Sequence, residues 1–174
     1  MSTYHSKLME LLVPAYRMHS QTFIHVLEGI SEQDAQKRID DRTNHILWMV
    51  GNFVNMRYAL AWSLGLSDVD PHQDLFYMGK ALDTSYTYPT LTGLLQNFHT
   101  ISPKVYQRLA EVTDAELAEP LEIGMHIPFI EETRLSFVGM CIGREDYLLG
   151  QLALMRRILD YPAMNYDFDE TITY

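Results

Sequence analysis

The chain has 174 residues, 47% apolar and 21% charged, which suits one domain with a sizeable core and argues against global disorder. A formal net charge of −10 speaks against nucleic acid, whose phosphates are met by clustered Lys and Arg; the basic residues here are scattered or merely paired, as Arg156 and Arg157 are. Cys141 is the only cysteine, so an intrachain disulfide is impossible, and a reducing, cytoplasmic compartment is expected.

The first predicted helix covers residues 4–28 and stops at Gly29. Its opening residues spread charge through the segment and leave no unbroken apolar run, so no secretory leader is expected. Pro14 falls inside it and predicts a kink or a fresh start, because proline removes an amide donor and crowds the preceding turn. Ser31 followed by Asp34 has the form of a capping box for a short helix. A second long helix is expected from residue 43 or 44 to Leu64, ended by Gly65. Its apolar residues surround the cylinder, the pattern of a helix buried on several sides. Asn52, Asn55 and Arg57 interrupt that run, which favours a core helix over a membrane span.

Residues 68–87 read as a long loop. Asp68, Asp70, His72 and Asp74 alternate there but lack the glycine and terminal glutamate of a calcium loop, so a solvated acidic loop is expected. Tyr88-Pro89 opens a third helix reaching Glu111, with a bend or break predicted before Pro103. Thr113 and Glu116 form a second capping box, and residues 121–128 are irregular. The fourth long helix is expected over residues 131–159, with Glu131 and Glu132 against its positive end. Tyr161-Pro162 ends it. Residues 1–162 therefore read as one all-α domain, and 163–174 as an acidic, aromatic tail. That tail is expected either to pack on a neighbouring subunit in a homodimer or to be exposed and disordered. No strand-like alternation and no internal repeat appear.

Two segments carry a family resemblance: NHILWMVGNFVNMRYALAWSLG, residues 44–65, and REDYLLGQLALMRRIL, residues 144–159. They resemble the second and fourth helices of DinB-like proteins, and the likeness covers about residues 5–160. It implies a four-helix bundle with long crossover connections. In that family the second helix supplies one metal-binding histidine and the fourth supplies two, four residues apart and therefore on one face. Enzymatic relatives use the metal in thiol-dependent transfer or isomerisation.

The chain departs from this pattern at each position. The second-helix ligand falls on Asn52, and the fourth-helix ligands on Arg144 and Leu148. A guanidinium has no lone pair to give, an isobutyl group has none, and an amide oxygen is a weak ligand. No metal and no other cofactor is therefore expected. No two of the seven histidines are three or four residues apart; His45, seven residues before Asn52, is the one substitute ligand the spacing permits, and a helix-terminal histidine is its plainer reading.

Arg144, Leu148, Gln151 and Met155 share a helix face. If that face lines the family cavity, Arg144 fills the vacated space against Asn52, snorkels to solvent, pairs with a carboxylate, or binds an anion. The candidate ligand-binding residues are Asn52, Asn55, Arg144, Gln151 and His45, with a small anionic or thiol-bearing molecule as partner, and neither nucleic acid nor membrane. Glu145 and Tyr147 are read as remnants that orient the helix, and Trp48 and Trp62 as core. The favoured function is a non-catalytic bundle or small-molecule binding module. A metal-dependent thiol transferase or hydrolase with an atypical site, and a dimeric interaction protein, remain as alternatives.

Overall fold

Spacing on the helices decides the architecture. The computed structural model describes residues 4–124 and 126–174, and they are all-helical. Helix α1 (Met9–Leu27) buries Met9, Val13, Tyr16, Ser20, Phe23 and Leu27, alternating steps of four and three that keep one face inward. Helix α2 (Ile46–Ser63) is buried on almost every side. Two short helices, α3 (Gln73–Phe76) and α5 (Asp114–Leu117), flank α4 (Leu91–Glu111), which turns Leu91, Leu94, Phe98, Ile101, Val105 and Leu109 inward. The last helix is α6 (Arg134–Ile158).

Helices α1 and α2 each pack against both α4 and α6. Across the core between them, Phe23 stacks on Phe53 with centroids 4.1 Å apart, and Phe98 closes the group 4.6 Å from Phe23. Among the described residues no helix is long and apolar enough to cross a membrane.

Neither interior proline breaks its helix: α1 runs through Pro14 and α4 through Pro103. The carbonyls these prolines leave without an amide partner are those of Glu10 and His99, both exposed residues, so water can satisfy them. Packing of the buried face then outweighs the local penalty. The third and fourth long helices begin later than expected, capped by Thr90 and Thr133. Glu132 directly precedes the N-cap of α6. Its carboxylate accepts the backbone N–H groups of Ile123 (2.9 Å), Gly124 (3.3 Å) and His126 (2.9 Å), organising the irregular segment before that helix.

Several charges that look like scattered surface residues in the sequence act as helix caps. Arg156, 4% exposed, donates to the carbonyls of Val26 (3.2 Å), Glu28 (2.5 Å) and Pro162 (2.6 Å), closing the C-terminus of α1. Arg108 does the same for α2 through Leu64 O at 3.0 Å. Glu32 accepts the N–H groups of Leu91 and Thr92 at 2.8 and 3.0 Å, at the start of α4.

The Thr113–Glu116 capping box is formed. The backbone N–H and hydroxyl of Thr113, then the Arg108 guanidinium, hold the Glu116 carboxyl down to about 2. A carboxyl depressed on folding binds fewer protons in the native state, so its contribution is complete above the ordinary carboxylate range and is lost as pH falls towards 2. Urea unfolding followed from pH 5 to pH 2 should accordingly show a shallower acid decline in Glu116→Gln than in the parent protein.

The C-terminal segment is exposed along most of its length, as one of the two expected courses has it, yet it is ordered against its own chain. Arg17 of the same chain donates to Glu170 O (2.8 Å) and Ile172 O (2.6 Å), and Gln21 exchanges hydrogen bonds with the Asp169 backbone at 2.8 and 2.9 Å. The tail is tied to α1.

Candidate functional site

A cavity of about 1030 Å³ opens between α2, α6 and the connections at residues 68–70, 77–79 and 122–123. Gly51 explains why the second of these lies where it does. The Phe76 ring, fully buried, rests directly on the Gly51 backbone, and any Cβ there would overlap it. That contact draws α3 onto α2 and sets Tyr77, Met78 and Gly79 along the cavity wall. The long loop expected over residues 68–87 is thus anchored at its centre.

One wall is apolar, formed by Met56, Trp62, Phe137 and Met140. Trp62 is 53% exposed and stands edge-on to Phe137 at 6.1 Å and 88°. Of the two tryptophans expected in the core, only Trp48 is there, at 4% exposure. Cys141 also lines this cavity. Burial, and then the nearby Glu145 charge, push its thiol well above the ordinary range, so it remains an unreactive thiol.

The polar wall brings together three of the five candidate residues. Asn52 and Asn55 lie one turn apart on α2, and Arg144 projects from α6. Arg144 donates from Nε (3.4 Å) and Nη2 (3.2 Å) to Asn52 Oδ1 and lies 4.6 Å from the centroid of the Tyr147 ring. Among the described residues it forms no ion pair. Asp68 and Asp70 reach the same cavity. Asp68 is paired with Lys104 at 2.5 Å. Asp70 departs from the expected solvated loop, being 5% exposed. It accepts a hydrogen bond from Asn55 Nδ2 at 2.7 Å and another from the His72 backbone N–H at 2.9 Å.

His45 and Gln151 stand apart from this wall. His45 is the N-cap of α2, its Nδ1 accepting the Trp48 N–H at 2.9 Å. That bond requires an unprotonated Nδ1, consistent with burial lowering the ring to about 4. The same lone pair is unavailable to a ligand. Gln151 lies two turns beyond Arg144, outside the cavity lining.

Behind the polar wall is a charge cluster that the sequence did not disclose. Arg57 and Glu145, both 0% exposed, pair at 2.5 Å (Nε to Oε1) and 3.0 Å (Nη2 to Oε2). The shorter contact is poorly directed, leaving Arg57 Nε and Glu145 Oε1 without a well-formed hydrogen bond. Arg57 Nη1 donates to Ser20 Oγ at 3.0 Å, and the guanidinium lies 3.6 Å from the Tyr16 ring centroid. His19 Nδ1 is hydrogen-bonded to Glu145 Oε2 at 3.1 Å, while its Nε2 lies 3.0 Å from Asp146 Oδ1 without a well-directed hydrogen bond. Burial pushes the Tyr16 hydroxyl up to about 12 against the opposing Arg57 charge, and it donates to Ser102 O at 2.8 Å. Glu145 therefore does orient α6, by fastening it to α1 and α2.

Metal-ligand chemistry is poorly served by these walls. Asn52 Oδ1 is taken by Arg144, and Leu148 is fully buried in the core. Among the described residues no group of three or more His, Cys, Asp or Glu is arranged to hold an ion. No family model matches the chain, and no curated protein matches it.

Proposed function

We propose that the protein is a DinB-like four-helix bundle in which an arginine-centred site has replaced the family's metal centre, and that it binds a small molecule through an anionic group. The observation that carries this reading is Arg144: a half-buried guanidinium on a cavity wall, held by one neutral amide oxygen and by no carboxylate among the described residues. A guanidinium presents a planar fork of donors suited to two oxygens of one carboxylate. Asn52 occupies part of that fork and orients the rest. The apolar wall of Trp62, Phe137 and Met140 gives a hydrophobic body somewhere to rest, the usual division of labour in small-molecule sites.

Thermal unfolding in the presence of acetate, benzoate and phenylacetate tests the reading. A ligand of the native state raises the midpoint with concentration. Phenylacetate is expected to do so more strongly than acetate, and Arg144→Gln to weaken it roughly 10- to 100-fold, the loss of about 1.5–3 kcal/mol for a hydrogen bond to a charged group. Equal affinity in the variant, or no response to any of the three, defeats the proposal.

A further inference from the structure

Three charged groups on this cavity form no ion pair among the described residues: Arg144, Asp70 and Glu122. Glu122 is exposed and solvated, whereas Arg144 is half-buried and Asp70 buried. Asp70 is buried to 5% exposure, yet among the described residues no lysine, arginine or histidine pairs with it. Its two oxygens are met only by the neutral Asn55 amide and the His72 backbone N–H. A carboxylate removed from water without a counter-charge is costly, and so is a half-buried guanidinium. The simplest cure is for the two to meet. They do not: each is held by a separate asparagine on the same face of α2, Arg144 by Asn52 and Asp70 by Asn55.

Asn52 and Asn55 are one helical turn apart, with side chains roughly 5–6 Å from each other at their bases. The Asn55 amide gives its N–H to Asp70, which leaves its carbonyl oxygen beside the carboxylate as a second acceptor. The polar wall therefore offers donors at one point and acceptors one turn away. Asp68 adds no competing charge, because Lys104 neutralises it.

We infer that the ligand headgroup is zwitterionic, an amino-acid-like molecule whose carboxylate lies on Arg144 and Asn52, whose ammonium lies on Asp70 and the Asn55 carbonyl, and whose apolar side chain rests against Trp62 and Phe137. This rests on the anion-binding role proposed for Arg144 and adds the cation subsite. A single carboxylate satisfies Arg144 alone; a zwitterion meets both buried charges at once and adds no net charge to the site.

Calorimetric titration of the full chain with phenylalanine, 3-phenylpropionate and phenethylamine separates the claims, because the three share a ring and differ only in their charged groups. Phenylalanine is expected to bind at least about tenfold more tightly than either analogue, each of which forfeits one charge-assisted contact. Asp70→Asn keeps the shape of the side chain and removes its charge. In that variant phenylalanine should weaken to the level of 3-phenylpropionate, while 3-phenylpropionate is unchanged or improved. If 3-phenylpropionate matches phenylalanine in the parent protein and both depend on Arg144, the zwitterion inference falls and the anion site stands. If neither acid binds in an Arg144-dependent way, the anion site falls and the zwitterion inference with it. The comparison within the parent protein decides the matter even if Asp70→Asn does not fold.

Discussion

Glu145→Ala is expected to cost about 3–5 kcal/mol of folding stability, the range for breaking a buried ion pair from one side. The reason is what remains behind. Arg57 is 0% exposed and sits over Tyr16 within reach of Phe53 and Phe98. Without the carboxylate its guanidinium keeps one neutral hydrogen bond, to Ser20, and loses its only anionic partner among the described residues. His19 simultaneously loses the partner on its Nδ1. Replacing both members, Arg57→Met with Glu145→Leu, removes the stranded charge and should cost much less than the sum of the single changes. Urea titrations of the four proteins measure this coupling. A Glu145→Ala loss below about 1 kcal/mol, the scale of an exposed pair, would show that water reaches the cluster.

Gly51→Ala should be the most damaging one-carbon change in the molecule. The added Cβ would occupy space filled by Cζ and both Cε atoms of Phe76. That ring is fully buried, with Tyr88 6.0 Å away, so it cannot step aside within its own pocket. Overpacking of this kind costs about 1–3 kcal/mol, and ejecting the ring costs more. Displacing Phe76 also releases Tyr77, Met78 and Gly79 from the cavity wall, so ligand affinity should fall along with stability. Phe76→Ala alone leaves a void. Adding Gly51→Ala to Phe76→Ala should then be nearly neutral, since the obstructing ring is gone. An equal penalty with and without Phe76 would place the cause in the backbone of α2.

The long helices were legible because their apolar spacing and their stops are local signals. The steps of three and four in α1 and α4, the all-round apolarity of α2, and the ends at Gly29, Gly65 and Tyr161-Pro162 can be read without knowing what packs where. At the prolines the fresh start and the break did not occur, because Pro14 and Pro103 leave only carbonyls of exposed residues unsatisfied, and the buried faces hold both helices together.

The site was legible in part. Asn52, Asn55 and Arg144 came together as expected, whereas His45 is a helix cap and Gln151 lies outside the cavity lining. What the sequence withheld was pairing at a distance. Arg57 in a helix apolar on all sides was a signal, since such a residue needs a partner, but Glu145 is 88 positions away and no spacing rule reaches that far. Asp70 was hidden in the opposite sense. Alternating acids in a loop look solvated, and only the fold shows that Asn55 draws this one inside.

The central claim is that the Arg144 fork is available to an anion, and the arginine side-chain Nε–H region of a proton–nitrogen correlation spectrum tests it most directly. With the Arg144 signal identified by its absence in Arg144→Lys, titration with phenylacetate should shift that resonance progressively to saturation. The Arg57 resonance, sealed in its ion pair, should stay still. An Arg144 signal that does not move at millimolar phenylacetate would contradict the account.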